Sequence, residues 1–202
     1  MRTMEKMLLQ WRNELSEELT CDILPFWMAF LGDGEHFAGR IDGCGNVHPQ
    51  AGKGAVLIAR MLWTFSAAYG ATRRPEYLDA AGKVRNLLVS RLIDPLYGGV
   101  YWEIASDGRP VCCKKQSYAI GFAVYGLSEY ARATGDPAAL DEAAALFASL
   151  EEHVWDAARD GYAEALTQDW RPLEDMRLSE KDANTYFSMN THLHLLEPCA
   201  NL

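Results

Sequence analysis

Positive charge is scarce in this sequence: 19 Lys and Arg stand against 28 Asp and Glu, a net charge of -9. Binding to phosphate backbones needs a basic face, so nucleic acid is excluded as a partner class. Long apolar runs are missing too. The longest, Tyr118 to Leu127, is about half of the ~20 residues a bilayer-spanning helix requires. The first residues, MRTMEKMLLQWRNELSEEL, are too charged for a secretory apolar region. There are five cysteines, none in C-x-x-C spacing and two of them adjacent (Cys112, Cys113). That leaves no zinc-ligand spacing and suits reduced thiols in the cytosol. His36, His48 and His153 lack partners at metal-ligand spacing and read as surface residues. Asp33, Glu35 and Asp42 sit in the glycine-punctuated stretch LGDGEHFAGRID and read as a solvated loop. These absences predict a soluble, cytoplasmic protein with no metal, no membrane and no nucleic-acid partner.

What is present suits one folded domain over residues 1–202. Apolar residues make up 49% of the chain, an ordinary share for a globular protein with a real core. Met4, Met7, Leu8, Trp11 and Leu15 fall on one stripe and predict an amphipathic first helix.

A repeat runs along the rest. Lys53–Pro110 overlays Lys115–Pro172 at a constant offset of 62 residues, without a gap. Trp63 falls on Tyr125, Ala71-Thr72 on Ala133-Thr134, Pro75 on Pro137, Gly99 on Gly161, and Arg109-Pro110 on Arg171-Pro172. Each unit reads as a helix, a turn with Pro at the start of a second helix, and a hairpin-like excursion (GGVYWEIASDGRP; DGYAEALTQDWRP). The second helices are predicted over Glu76–Leu92 and Ala138–Trp155. A third unit begins near Asp182, offset by 68 residues, so that Tyr186 meets Tyr118, Asn190 meets Phe122 and Glu197 meets Glu129. Stacked helical hairpins build an open solenoid or a closed toroid, and periodicity leaves both open. The first helix of each unit carries Arg60, Phe122 or Asn190 at the same position, which suits helices lining a cavity.

Several stretches in this order, AGKGAVLIARMLWTFSAAY, PLYGGVYWEIASDGRP, CKKQSYAIGFAVYGLSEYARATGD, DGYAEAL and SMNTHLHLLE, resemble the N-acylglucosamine 2-epimerase superfamily, and within it the cellobiose 2-epimerases. The resemblance implies an all-α fold of the (α/α)6-barrel type, with short β-hairpin excursions and about half the ring in this chain, roughly three hairpins. It implies no cofactor. It implies epimerisation at C2 of a reducing-end aldose through ring opening and a cis-enediolate. It also implies that the two acid/base histidines come from later repeats, so the 202-residue chain by itself is expected to be inactive.

The candidate residues divide as follows. Arg60 lies inside an apolar helix, where a guanidinium needs a carboxylate such as Glu129 or Glu164, a polar cavity or a ligand. The resemblance makes it a catalytic residue that holds the C1 and C2 oxygens. Asn190 and His194 are four apart and share a helical face. The resemblance makes His194 a second catalytic residue, bound to the sugar at ring opening, and Asn190 a substrate ligand. Tyr118 and Trp63 join the substrate-binding set, as hydroxyl partner and aromatic lining. His192 is included as well, although its spacing turns it away, toward packing behind the site and bonding to backbone or a loop. Tyr101, Trp102 and Glu164 are expected in the excursions at the mouth.

A glycoside hydrolase on the same barrel would need two carboxylates facing the cavity, and none is found among Val56, Arg60, Tyr118, Phe122 and Asn190. The alternative to an epimerase is a non-catalytic carbohydrate-binding or interaction module. Half a toroid would expose apolar flanks, and two chains could pair through them as a homodimer. The residues leave cellobiose, mannose and N-acetylglucosamine open as substrates.

Overall fold

The computed structural model describes residues 2–32 and 37–202. Asp33, Glu35 and His36 lie outside the described residues. Helix α1 (Arg2–Glu17) continues through a π-turn (Glu18–Ile23) into α2 (Leu24–Ala29). Strand β1 (Lys53–Gly54) leads into α3 (Ala55–Thr72), and α4 (Pro75–Leu87) runs on through a π-turn to Leu92. Next come β2 (Glu103–Ile104), β3 (Pro110–Cys112) and β4 (Lys115–Gln116), then α5 (Ser117–Thr134) and α6 (Pro137–His153). Strands β5 (Trp155–Asp156), β6 (Gly161–Tyr162) and β7 (Ala165–Leu166) precede α7 (Met189–Asn201). Among the described residues no helix is long and apolar enough to cross a membrane.

The 62-residue repeat holds down to single hydrogen bonds. α3 ends at Arg73 (φ 60°) and α5 at Gly135 (φ 76°), both left-handed caps at the same repeat position. The hydroxyls of Thr72 and Thr134 each donate one turn back, to the carbonyls of Ala68 and Tyr130. Pro75 and Pro137 then open α4 and α6, where a missing N–H costs nothing. After the second helices, Asp94 Oδ1 accepts from the amides of Leu96 and Tyr97, and Asp156 Oδ1 from those of Ala158 and Arg159.

The inner helices α3, α5 and α7 pack side by side, with α4 and α6 behind. Two glycines set their spacing. A Cβ at Gly126 would lie 2.7 Å from the Ala59 carbonyl of α3, and one at Gly121 would lie 2.7 Å from Leu195 of α7. Either contact would force the helices apart.

The second unit docks on the first through a buried ion pair. Lys115 Nζ lies 2.7 Å from Asp94 Oδ2, and both side chains are fully buried. Gln168 donates to the same oxygen at 2.9 Å. The Lys115 ammonium also lies over the rings of Tyr101 (5.1 Å) and Trp170 (5.6 Å). Burial opposes ionisation of Asp94, but the bonds from Lys115, Gln168, Leu96 and Tyr97 outweigh it and hold the carboxyl down at about 2.

α7 starts later than the repeat predicts. At the 68-residue offset the start of α5 falls on Thr185, but the first turn begins at Met189, and Tyr186 is in the extended approach instead of inside the helix. Three contacts override the repeat register. Ser188 caps the helix by accepting from the Thr191 amide at 3.1 Å. Buried Glu164 accepts from the Ser188 amide (2.8 Å) and the Thr191 hydroxyl (2.7 Å). His192 has both ring nitrogens on the main chain. Nδ1 faces the Ser188 carbonyl at 2.8 Å, and Nε2 accepts from the Tyr162 amide at 3.0 Å. A carbonyl only accepts and an amide only donates, so this ring carries its proton on Nδ1.

Two outcomes follow. Asp94→Asn or Lys115→Met leaves one buried charge unmatched and lowers unfolding free energy by about 3–5 kcal/mol in urea titrations. Because the folded Asp94 titrates at about 2 against an ordinary 3.8, its contribution is complete above that ordinary value. It is lost as pH falls through the lower one, and Asn at 94 removes this acid limb. His192→Phe strips the Tyr162 amide of its acceptor, which costs about 1–3 kcal/mol. Hydrogen exchange at Tyr162 and in the first turn of α7 then speeds up more than in α3.

Candidate functional site

Helices α3, α5 and α7 bring four of the expected residues together. Arg60 leaves α3 and lays its guanidinium 4.3 Å above the Phe122 ring of α5. Its Nη2 donates to the Tyr118 hydroxyl at 3.1 Å. Among the described residues it has no carboxylate partner. Glu129 is taken by Arg132 (Nε to Oε2, 2.9 Å), and Glu164 by the start of α7. The guanidinium is therefore exposed to the cavity on an aromatic platform, with donors to spare.

Trp63 and Tyr125 stack beside it, centroids 5.1 Å apart and planes 22° apart. The Trp63 indole N–H is buried and, among the described residues, has no acceptor. The Tyr125 hydroxyl titrates above its usual range, chiefly through burial and also through the nearby Glu197 and Glu129 carboxylates. Arg60, Trp63, Thr64, Phe122, Tyr125 and Glu197 line one open cavity of about 340 Å³.

His194 enters from α7. Its ring meets Tyr118 edge-on (5.2 Å) and lies tilted on Phe122 (5.4 Å). Its Nδ1 is 2.9 Å from Glu197 Oε2. Glu197 is the residue that reasoning from sequence missed. The signal was there, as a carboxylate three residues after a histidine on one helix can reach it.

Two expected ligands are elsewhere. Asn190 is exposed in the first turn of α7 and lines a separate small cleft with Glu164, Met176 and Ser188. The shared helical face therefore does not carry it to Arg60. His192 has both ring nitrogens on the main chain and packs behind the site, as its spacing suggested, rather than beside Arg60. Tyr101 and Glu164 are buried rather than at the mouth, under Lys115 and against α7 respectively. Asp42 is tied into its own turn by Cys44 and Asn46. His153 stacks on Trp170 at 4.5 Å. Among the described residues no three His, Cys, Asp or Glu side chains gather to hold a metal.

The assembled corner combines a free cation, a phenol, an imidazole with a carboxylate behind it, and a flat aromatic wall. A guanidinium and phenol can hold neighbouring oxygens, and aromatic faces take up the apolar faces of rings. An imidazole can move a proton between them.

The family model for N-acylglucosamine 2-epimerase matches residues 36–200. The chain is 52% identical over 193 residues to a cellobiose 2-epimerase of Bacteroides fragilis, covering 95% of this chain and 49% of that protein. It is 38% identical to one of Ruminococcus albus, covering 94% and 49%. The solved cellobiose 2-epimerase of Spirochaeta thermophila superposes with a TM-score of 0.90 at 40% identity, over 98% of this chain and 50% of that one. A D-mannose isomerase structure shares the fold at 16% identity, with a TM-score of 0.62 over 73% of this chain and 36% of that one. The chain thus spans about half the length of the curated relatives it matches, and its helical hairpins form about half of an (α/α)6 barrel. By sequence and by fold, it belongs to the N-acylglucosamine 2-epimerase family.

Proposed function

We propose that this chain supplies the substrate-binding half of a sugar 2-epimerase acting at C2 of a reducing-end aldose, with a cellobiose-like disaccharide as substrate. One observation carries the reading. A guanidinium with no carboxylate partner among the described residues lies on Phe122 and bonds to Tyr118, and the ring of His194 packs on both aromatics. Relatives named cellobiose 2-epimerase match over nearly the whole chain.

The chemistry assigns each group a task. Ring opening takes the proton from the O1 hydroxyl, forms the C1 carbonyl and returns a proton to the ring oxygen, and His194 stands where it can carry that proton. A base then removes the C2 proton, leaving a cis-enediolate with charge on O1. Arg60 and the Tyr118 hydroxyl stabilise that charge, which is where preorganised donors contribute most. A proton returned to the opposite face of C2 gives the epimer. The sugar stacks on Trp63 and Tyr125. The pair of groups that handles the C2 proton is not in this set, which holds a single imidazole, His194, packed on Tyr118 and Phe122.

The test is deuterium exchange at C2 of cellobiose in heavy water, followed by NMR. The 202-residue chain alone gives no exchange above background, and robust exchange overturns the division of labour. Cellobiose still perturbs Trp63 and His194 resonances in a titration. Arg60→Ala removes a charged donor and weakens that binding about 10-fold; unchanged binding would remove Arg60 from the site.

Uncovered apolar faces favour a second reading, in which two copies pair. Met4, Leu8, Trp11 and Leu15 of α1 are exposed, as are Met189, Leu193 and Leu196 of α7. Sedimentation at rising concentration then shows a dimer, and a monomer at every concentration rejects the pairing.

A further inference from the structure

Glu197 closes the stretch SMNTHLHLLE but is given no role by the family resemblance, and it stands at the cavity wall with its carboxylate on His194. We infer that Glu197 is a positioning residue that fixes His194 in the tautomer protonated at Nδ1, so that Nε2 presents its lone pair to the sugar.

The geometry supports this at each step. Glu197 Oε2 lies 2.9 Å from His194 Nδ1. An ionised carboxylate only accepts, so Nδ1 must carry the proton, and in the neutral ring Nε2 is then the bare acceptor. Among the described residues Nε2 has no hydrogen-bond partner. The ring cannot readily swing away, because it is bracketed by Tyr118 at 5.2 Å and Phe122 at 5.4 Å. The helix that bears both residues is itself held close to α5 at Gly121, where a Cβ would strike Leu195. The dyad thus has a fixed donor, a fixed acceptor and a fixed ring plane. A carboxylate behind an imidazole sets which nitrogen works in other acid/base sites for the same reason.

His192 provides an internal contrast two residues away. It too carries its proton on Nδ1, but there a backbone carbonyl accepts it, and Nε2 is consumed by the Tyr162 amide. The two histidines share a tautomer and differ in what faces the outer nitrogen. Among the described residues no partner meets that nitrogen of His194.

The inference rests on the sugar-epimerase reading for its purpose, but its first test does not. Long-range ¹⁵N–¹H correlation spectra of the 202-residue protein, without sugar and well above the ordinary imidazole pKa, report which ring nitrogen is protonated. His194→Gln assigns the resonances. In the wild type, Nδ1 of His194 is protonated and Nε2 is not, while in Glu197→Ala the proton moves to Nε2. His192 keeps its pattern in both, which shows that α7 remains folded. A wild-type His194 protonated at Nε2, or a pattern unchanged in Glu197→Ala, overturns the assignment. Adding cellobiose then separates the two claims. Loss of its effect on His194 Nε2 in Glu197→Ala supports the positioning role, and an equal effect in both proteins overturns it. No effect in the wild type rejects the sugar reading, while the tautomer measured beforehand still decides the role of Glu197.

Discussion

The contact between Lys115 and Asp94 is the joint on which the rest of the structure depends. Asp94 closes the first helical hairpin, Lys115 immediately precedes α5, and Gln168 and Trp170 arrive from the second excursion. One buried ammonium and one buried carboxylate therefore fix three parts of the chain at a point. A pair of this kind contributes little net stability against an apolar alternative, because desolvation offsets most of the attraction. Its value lies in register. The carboxylate accepts from the Leu96 and Tyr97 amides, Gln168 and Lys115 at once, and no sliding of α5 along α3 would keep all four. With α5 fixed, Phe122 and Tyr118 stand where Arg60 can reach them.

A second joint places α7 against that frame by different means. Glu164 occupies the repeat position of Trp102, and its charge is spent inside the protein on the first turn of α7. Ser188 and His192 complete the anchoring. Three polar side chains at one helix end select where the helix begins, and they move its start beyond the position given by the repeat. The cost of burying Glu164 is met by bonds to an amide and a hydroxyl, as a buried carboxylate requires. His194 depends on this anchoring, since it is one and a half turns into the helix that Glu164, Ser188 and His192 tie down.

Much of the fold was legible in the sequence because the repeat was gapless. Caps, prolines and second helices recur at 62 residues, since each unit solves the same local problem with the same backbone chemistry. What was not legible came from contacts between units. The late start of α7 is set by Glu164, which is some two dozen residues away in sequence. Asn190 shares a helical face with His194, yet it lines a separate cleft with Glu164 and Ser188, a placement that angular spacing alone does not give. Glu197 was overlooked because it was read as the partner of Glu129 in the repeat. That register places it one turn past His194 and says nothing of its bond to that ring.

The same repeat explains why the site forms where it does. Adjacent inner helices lie side by side in register, so residues 62 apart become neighbours in space. Arg60 and Phe122 are such a pair, and they meet as cation and ring at 4.3 Å. Trp63 and Tyr125 are another, and they stack at 5.1 Å. A position that recurs as an aromatic in every unit would give a continuous apolar stripe and a packed core. Changing one member to arginine turns that contact into a charged donor held on a ring, with one outer nitrogen on the Tyr118 hydroxyl. The fold supplies equivalent positions, and the divergence between them supplies the chemistry. For this reason the informative residues in a repeat of this kind are the ones that break it: Arg60 opposite Phe122, Glu164 opposite Trp102, and His194 opposite Gly126.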